Sequence, residues 1–198
     1  TKMLEGSVDT IMVGFEESRA NYRHPDRVEV TGTPVRVDFL NPDKAAAKRE
    51  LGIPEGRPLV VSVWGSLGAA HMNEIMTDFI VRACAKPFFN LIHSAGKAGY
   101  SRMSAALERE KPDYARLGMD VRDYIYDMPR VMAAADLVLC RAGASTLAEL
   151  TAMGKPAILV PSPNVTNNHQ ERNARVLGAA GGAGGTLEQG FTGGSLAG

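Results

Sequence analysis

Short apolar runs alternate with longer amphipathic stretches along most of the chain. The runs of strand length are TIMVGF (10–15), RVEVTG (27–32), LVVSVW (59–64), FFNLIH (88–93), MDVRDYI (119–125), DLVLC (136–140) and PAILVP (156–161). Residues with helical spacing of apolar positions lie near 43–51, 69–86, 100–110, 127–135, 145–154 and 168–180. Strands that are apolar almost throughout are typical of a parallel sheet covered by helices on both faces. The pattern therefore predicts an α/β, Rossmann-like fold.

The residues that directly follow the predicted strands are nearly all small, polar or basic. They are Thr33 to Arg36, Gly65 to Ala69, Ser94 to Lys97, Tyr126 to Met128, Arg141 to Ser145, and Ser162 to Asn164. Ligands of such sheets bind outside the carboxyl ends of the strands. Small residues there let a ligand approach backbone N–H groups closely. We therefore expect a binding site along this edge of the sheet.

The composition narrows the range of partners. The 198 residues carry 22 basic and 22 acidic side chains, so no global field favours nucleic acid or an anionic membrane. The two cysteines, Cys84 and Cys140, exclude a disulfide scaffold and indicate reduced, buried thiols. No apolar run approaches the roughly 20 residues of a membrane-spanning helix. The start, TKMLEGSVDT, lacks the apolar centre of a signal peptide, which favours a cytosolic chain.

Both ends of the sequence suggest a piece of a longer protein. The chain begins without Met, and it ends in a glycine-rich tail from residue 178 onward. That composition opposes a firm helix because ordering glycine costs much conformational entropy. The last eight residues, FTGGSLAG, are interpreted as the start of a helix that continues beyond the sequence.

The stretch WGSLGAAH (64–71) follows one predicted strand and opens a helix. Gly65 and Gly68 permit a tight turn, and Ser66 supplies a hydroxyl beside the free N–H groups of the helix start. The spacing is neither the G-x-G-x-x-G of dinucleotide sites nor a Walker A loop. Phosphate binding and a plain strand–helix turn both remain open.

The stretch CRAGASTLAEL (140–150) has two interpretations. Thr146 and Glu149 have the spacing of a capping box, which the pattern alone favours. Alternatively, the two oxygens of Glu149 accept hydrogen bonds from the vicinal hydroxyls of a ribose. Arg141 contacts either a ligand or an acidic neighbour. Cys140 is either a thiol activated by Arg141 or, as we favour, a small buried side chain.

Amide side chains crowd the loop PNVTNNHQERNA (163–174). They both donate and accept hydrogen bonds, which suits sugar hydroxyls, although asparagine is also common in turns. Gln170 has the clearest character of a sugar-reading residue. Arg36 either contacts a phosphate or lies in solvent. The four histidines show no metal-site spacing and no Asp-x-Asp is present, so we expect no metal site, and leaving-group charge would be met by N–H groups, helix dipoles and arginine.

The order of these motifs resembles a known family. TGTPVR, GSLGA, HSAGK, DLVLCRAGASTLAEL, GKPAILVP and NNHQERNA follow one another as in the bacterial peptidoglycan N-acetylglucosaminyltransferases, which make lipid II from lipid I. The resemblance runs from about residue 8 to the tail and is most specific over 136–174. It implies the C-terminal half of a GT-B glycosyltransferase. Residues 1–36 would be the end of the N-terminal acceptor domain, with its last strand and helix near 8–24, and the interdomain linker. Residues 37–198 would be the UDP-sugar donor domain without its last helix.

The resemblance also implies roles for individual residues. Arg36 and Ser66 would contact the diphosphate, helped by the backbone of Gly65, Leu67 and Gly68. Ile125 would place its backbone against uracil, and Glu149 would hold the ribose. The remaining implied site residues are Ala144, Ser145 and Thr146 near the phosphates, and His169, Gln170 and Asn173 near the sugar.

The implied reaction is an inverting, metal-independent transfer from UDP-N-acetylglucosamine without a cofactor. In the family, the N-terminal half supplies the base, binds lipid I and contacts the cytoplasmic face of the bacterial plasma membrane. We find no general base in this chain, so we expect it to bind UDP-sugar without catalysing transfer. No nucleic-acid partner is expected.

The chain differs from the family at Thr33, Trp64 and Ala95, where Asn, Gly and Thr are usual. These positions lie on or near the donor loops, so the donor sugar stays open. Another GT-B transferase, such as a diacylglycerol glucosyltransferase, remains an alternative, as does a non-catalytic nucleotide-binding module. The missing G-x-G-x-x-G disfavours a dinucleotide-dependent oxidoreductase.

Overall fold

A computed structural model describes residues 2–65, 69–163, 169–179, 183–185 and 192. Its strands are β1 (Ile11–Val13), β2 (Val28–Val30), β3 (Leu59–Val63), β4 (Asn90–Ser94), β5 (Met119–Arg122), β6 (Leu137–Cys140), β7 (Ala157–Leu159) and β8 (Ala183–Gly185). Its α-helices are α1 (Lys44–Glu50), α2 (Ala70–Ala83), α3 (Lys97–Glu110), α4 (Met128–Ala134), α5 (Ala144–Ala152) and α6 (His169–Ala179). Short 3₁₀ helices cover Lys2–Ser7, Glu16–Asn21, Pro25–Arg27, Val37–Phe39 and Tyr114–Leu117. Within these described ranges, no helix has both the length and the apolar character that crossing a membrane requires.

Six strands form one sheet in the order β5-β4-β3-β6-β7-β8, and every neighbouring pair is parallel. The central strand β3 aligns Val61 with Ile92 of β4 and with Val138 of β6. The order reverses at β3, because the chain proceeds to one side through β4 and β5 and to the other through β6 and β7. This arrangement confirms the predicted α/β, Rossmann-like fold.

Alternate residues of the strands pack into two separate hydrophobic cores, one on each face of the sheet. Val61, Ile92 and Val138 pack with α1, α4 and α5 on one face of the sheet. Leu91 and Leu139 pack on the other face, against the apolar sides of α2 and α3. Both faces are therefore buried, which explains why the strands are apolar at nearly every position.

The strands β1 and β2 form a separate two-stranded parallel sheet. Ile11, Val13 and Val28 make a small core of their own, whereas Met12 is 70% exposed. The strand expected near 8–24 is β1, and the helix expected there is the 3₁₀ helix Glu16–Asn21 rather than an α-helix. Clustered polar residues and Pro25 in this stretch leave no continuous apolar face for an α-helix to bury.

The strand β8 was not predicted. Its residues, Ala183–Gly185, pair with β7 although they carry no β-branched or aromatic side chain. Backbone pairing alone defines this strand, and hydrophobic periodicity cannot detect it. The helix start proposed for FTGGSLAG lies outside the described residues, apart from Thr192.

Candidate functional site

A cleft of about 840 Å³ opens at the carboxyl ends of β3, β4 and β6. This is the edge at which the strand order reverses, where ligands of open α/β sheets bind. Its walls include polar and charged side chains as well as several apolar ones. The lining residues are Arg36, Phe39, Val63, Trp64, Gly65, Ala69, Ala70, His71, Ser94, Tyr124, Ile125, Met128, Met132, Arg141, Gly143, Thr146, Glu149, Ser162 and Gln170.

The helix α5 presents Glu149 to the cleft. The helix begins at Ala144, with Gly143 as its capping residue and no side chain in the capping role. Glu149 is therefore the sixth residue of the helix, too far from the start to bond its N–H groups. The capping-box interpretation was wrong, because the helix starts two residues before Thr146 rather than at it.

Two features of its surroundings shift the pKa of Glu149 in opposite directions. The side chain is half-buried, and this burial raises the pKa of Glu149, while the charge of Arg36 lowers it. Thr146 lines the cleft one turn before Glu149. The carboxylate thus faces the cleft with a cation close enough to influence its titration.

Arg36 lies at the mouth of the cleft and is exposed. Its guanidinium carbon is 5.2 Å from the ring centroid of Phe39, a cation–π distance. Phe39 is buried, so its ring is a fixed surface against which the guanidinium packs. Arg36 is thus partly held in place at the cleft.

Arg141 is a cleft residue that the predicted site did not include. Its Nη1 donates to the carbonyl oxygens of Val160 (3.1 Å) and Pro161 (3.2 Å). Its guanidinium carbon also lies 5.6 Å from the ring centroid of Trp64. The signal available in the sequence was its position directly after a buried strand.

The residues expected to read the sugar separate in space. Gln170 lines the cleft, and its Oε1 accepts a hydrogen bond of 2.9 Å from the N–H of Ser162. Asn173 lies along a neighbouring groove, where its Nδ2 donates to the carbonyl of Ala142 at 3.1 Å. His169 is the first residue of α6, and its side chain is not part of the described structure.

The expected base-binding residue, Ile125, is buried in the cleft wall. Tyr124 beside it also lines the cleft and packs edge-on against Tyr126, with ring centroids 4.9 Å apart. Sequence reasoning did not select Tyr124, although the position after β5 was the available signal.

The strand–helix turns complete the cleft. Gly65 lines it with a φ of +99°, a conformation that side chains rarely adopt. The three residues after it, Ser66, Leu67 and Gly68, lie outside the described residues. Ala144 and Ser145 are exposed at the start of α5, and Ala144 borders the neighbouring groove.

Cys140 ends β6 beside Arg141 but is not activated by it. Burial raises the pKa of Cys140 to about 12, and the charge of Glu149 adds to the shift. Both cysteines are free and buried, as expected. Among the residues with described coordinates, no group of three histidine, cysteine or acidic side chains could hold a metal ion.

A doubly wound parallel sheet with a polar cleft at its switch point defines a class of nucleotide-binding α/β proteins. Residues 59–197 match the family described as the glycosyltransferase family 28 C-terminal domain. The chain belongs to this family.

The relatives extend the comparison. The chain is 42% identical over 176 residues to the UDP-N-acetylglucosamine--N-acetylmuramyl-(pentapeptide) pyrophosphoryl-undecaprenol N-acetylglucosamine transferase of Acetivibrio thermocellus, covering 89% of this chain and 47% of that protein. It is 38% identical over 196 residues to the protein of the same name from Desulforudis audaxviator, covering 98% and 52%. The chain thus spans about half the length of these relatives.

A solved structure agrees with the fold. The crystal structure of MurG from Acinetobacter baumannii matches with a TM-score of 0.64 and 24% identity, covering 96% of this chain and 54% of that chain. The similarity identifies the architecture as half of a GT-B glycosyltransferase.

Proposed function

We propose that the chain is the donor-binding half of an enzyme that transfers N-acetylglucosamine from UDP-N-acetylglucosamine to lipid I, giving lipid II in peptidoglycan synthesis. The observation that carries the proposal is the convergence of Arg36, Arg141 and Glu149 in one cleft at the switch point of the sheet. The name of the relatives supports the donor and the undecaprenol-linked acceptor.

The nucleoside would occupy the part of the cleft formed by β5 and α5. The two oxygens of Glu149 suit the vicinal hydroxyls of ribose, since an ionised carboxylate only accepts hydrogen bonds. The position of Ile125 in the cleft wall supports its backbone as the contact for uracil. Tyr124 adds an aromatic side chain next to this position.

The diphosphate would lie against Arg36 and Arg141. The starts of α5 and α2 border the same cleft at Gly143 and at Ala69 and Ala70, and the N–H groups of a helix start favour an anion. We propose the same role for Ser66, Leu67 and Gly68, which precede α2 in the sequence. Negative charge grows on the diphosphate as the sugar bond breaks. Fixed N–H dipoles and two guanidinium groups stabilise that charge without a metal ion.

The sugar would be read from the start of α6. Gln170 lies in the cleft with its amide oxygen already engaged by Ser162, which leaves its NH₂ group to donate to a sugar hydroxyl. We propose that His169, the preceding residue in the sequence, contributes to the same recognition. Asn173 contributes through the carbonyl of Ala142, which it holds at the base of the β6–α5 turn.

Residues 1–36 would belong to the acceptor half and the linker, and residues 37–198 to the donor domain. The two-stranded sheet of β1 and β2 supports this division, because two strands alone are marginally stable in water. The half of the relatives that this chain does not span would bind lipid I, contact the membrane and supply the base that removes the proton of the acceptor hydroxyl.

The test is calorimetric titration of the chain with UDP-N-acetylglucosamine, UDP-glucose, UDP and NAD. We expect the tightest binding with UDP-N-acetylglucosamine, no binding of NAD, and no sugar transfer to a lipid I analogue by the chain alone. Equal affinity for both UDP-sugars would move the assignment to another GT-B transferase. Absence of UDP binding, or preference for NAD, would refute the proposal.

A further inference from the structure

A chain of buried hydrogen bonds leads from the cleft wall into the sheet. Trp64 Nε1 donates to Ser62 Oγ at 2.9 Å, and Ser62 Oγ lies 3.0 Å from His93 Nδ1. His93 Nε2 lies 3.2 Å from Asn73 Oδ1, and Asn73 Nδ2 donates to the carbonyl of Ala95 at 2.8 Å. All five residues are buried. The proposed donor site uses none of these four hydrogen bonds.

The donor and acceptor atoms fix the direction of every bond. Asn73 Nδ2 donates to the Ala95 carbonyl, so Asn73 Oδ1 is the acceptor and His93 Nε2 must carry the proton. Nδ1 of a neutral His93 is then an acceptor. The Ser62 hydroxyl therefore donates to Nδ1 and accepts from the indole N–H, which can only donate. A neutral His93 satisfies the whole chain, and full burial lowers the pKa of His93 to about 3.

The outer end of the chain reaches the cleft through Trp64. Its indole lines the cleft and faces the guanidinium of Arg141. A cation–π contact needs the guanidinium over the ring face, so the rotation of the indole matters. The hydrogen bond to Ser62 fixes that rotation. Trp64 therefore connects the buried hydrogen bonds of Ser62, His93 and Asn73 to the guanidinium of Arg141 in the cleft.

The inner end of the chain is held by a close helix approach. A side chain at Gly99 of α3 would place its Cβ 2.3 Å from Asn73 Nδ2. Any larger residue at position 99 would displace the Asn73 amide. Asn73 on α2 is thereby confined between its partners and α3.

We propose that Ser62, His93 and Asn73 are positioning residues that hold the indole of Trp64, and through it the Arg141 guanidinium, in the place where the cleft takes the diphosphate of its nucleotide. The inference rests on the proposed function for the identity of that anion. The three residues touch no ligand and act only through Trp64.

Fluorescence gives a test that needs no ligand, because Trp64 is the only tryptophan of the chain. Ser62→Ala removes the acceptor of the indole N–H, and Gly99→Ala displaces Asn73 at the far end. The matched control is Thr77→Val. It deletes a hydroxyl that donates to the backbone carbonyl of Asn73 and is not part of the hydrogen-bond series from Trp64 to Ala95. We expect a changed emission maximum and faster iodide quenching in the first two variants but not in the control. Unchanged emission and quenching in Ser62→Ala would overturn the inference.

Affinity for UDP tests the second step, from Trp64 to Arg141. We expect Ser62→Ala to weaken UDP binding roughly three- to tenfold, the effect of one lost buried hydrogen bond. In an Arg141→Ala background the same substitution should have no further effect, because the residue through which it acts is gone. Equal losses in both backgrounds would overturn the inference.

The two tests separate this inference from the proposed function. If the unmodified chain binds no UDP, the proposed function fails, while fluorescence still decides whether the buried chain fixes Trp64. If Ser62→Ala does not fold, Trp64→Phe replaces it in the affinity cycle, since Phe keeps the ring face and lacks the N–H. A loss of UDP affinity by Trp64→Phe that is independent of Arg141 would then count against the inference.

Discussion

Glu149 shows how a shift of two positions changes the meaning of a residue. Thr146 and Glu149 have capping-box spacing, and the pattern did not show that the helix already begins at Ala144. Gly143 occupies the capping position and has no side chain to contribute. The backbone turn sets this helix start, and the residue types in the sequence do not reveal it. The ribose interpretation survives because Glu149 then faces the cleft.

Substituting Glu149→Gln tests the ribose contact. The amide keeps the size but loses one acceptor and the charge, so we expect UDP affinity to fall roughly tenfold, about 1.4 kcal/mol. The matched control is Glu108→Gln on the exposed side of α3, which should leave affinity unchanged. Calorimetry measures both, and equal affinities of the Glu149 variant and the unmodified chain would refute the contact.

His93 makes stability depend on pH in a definite direction. Burial lowers the pKa of His93 from 6.5 to about 3, so the unfolded chain takes up this proton first on acidification. The contribution is complete above pH 6.5 and is lost as the pH falls toward 3. Between pH 6 and 4, we expect His93 to reduce the unfolding free energy by about 1.4 kcal/mol per pH unit.

Urea unfolding at several pH values measures this slope. In His93→Gln the His93 contribution should disappear from the slope. In His24→Gln, which changes an exposed histidine, the contribution of His93 to the slope should remain. An unchanged slope in the His93 variant would show that His93 titrates normally in the folded chain.

At the scale of elements, apolar periodicity located each predicted strand and helix of the main sheet to within a few residues. It works here because both faces of the sheet are buried, so strands are apolar runs and helices are one-sided. It failed for β8, whose three small residues have no apolar pattern. It also began β4 too early, since Phe88 is 73% exposed and lies before the strand.

The packing of α1 against the sheet depends on Asp136, just before β6. Asp136 Oδ2 accepts from the N–H of Leu59 at 2.7 Å and pairs with Lys48 at 2.6 Å, while Lys44 pairs with Oδ1. Burial alone would raise the pKa of Asp136. The hydrogen bonds from Lys44, Lys48 and the N–H of Leu59 outweigh that effect and lower the pKa to about 2. The carboxylate thus joins α1 to the amino ends of β3 and β6.

Asp136→Ala should destabilise the chain by roughly 1–2 kcal/mol, because solvent screens part of this interaction at the surface. Asp136 lies at the strand ends opposite the cleft, so UDP affinity should be unchanged. The control Asp78→Ala removes an exposed pair with Arg82 and should destabilise the chain less than Asp136→Ala does. Urea unfolding and calorimetry check the two expectations, and a large loss of UDP affinity in Asp136→Ala would contradict the separation of the two edges.

At the scale of the whole molecule, the six-stranded sheet and its cleft form one unit, and β1 and β2 form another small sheet. The sequence contained the motifs of the proposed donor site, since they directly follow strands. It did not show that Arg141 and Trp64 meet, because β3 and β6 are distant in sequence and adjacent only in the sheet.

Two truncations test this division. Removing residues 1–30 should leave UDP affinity within about twofold, because the cleft is lined from Arg36 onward. Removing residues 1–43 also deletes Arg36 and Phe39 and should weaken binding roughly tenfold or more. If the shorter truncation abolished binding in a chain that still folds, residues 1–30 would be part of the donor site.

A crystal structure of the chain with UDP tests the proposed site most directly. We expect UDP in the cleft at the carboxyl ends of β3, β4 and β6, with its ribose hydroxyls on Glu149 and its diphosphate against Arg36 and Arg141. UDP bound elsewhere, or bound in the cleft without contact to Glu149 and either arginine, would contradict it.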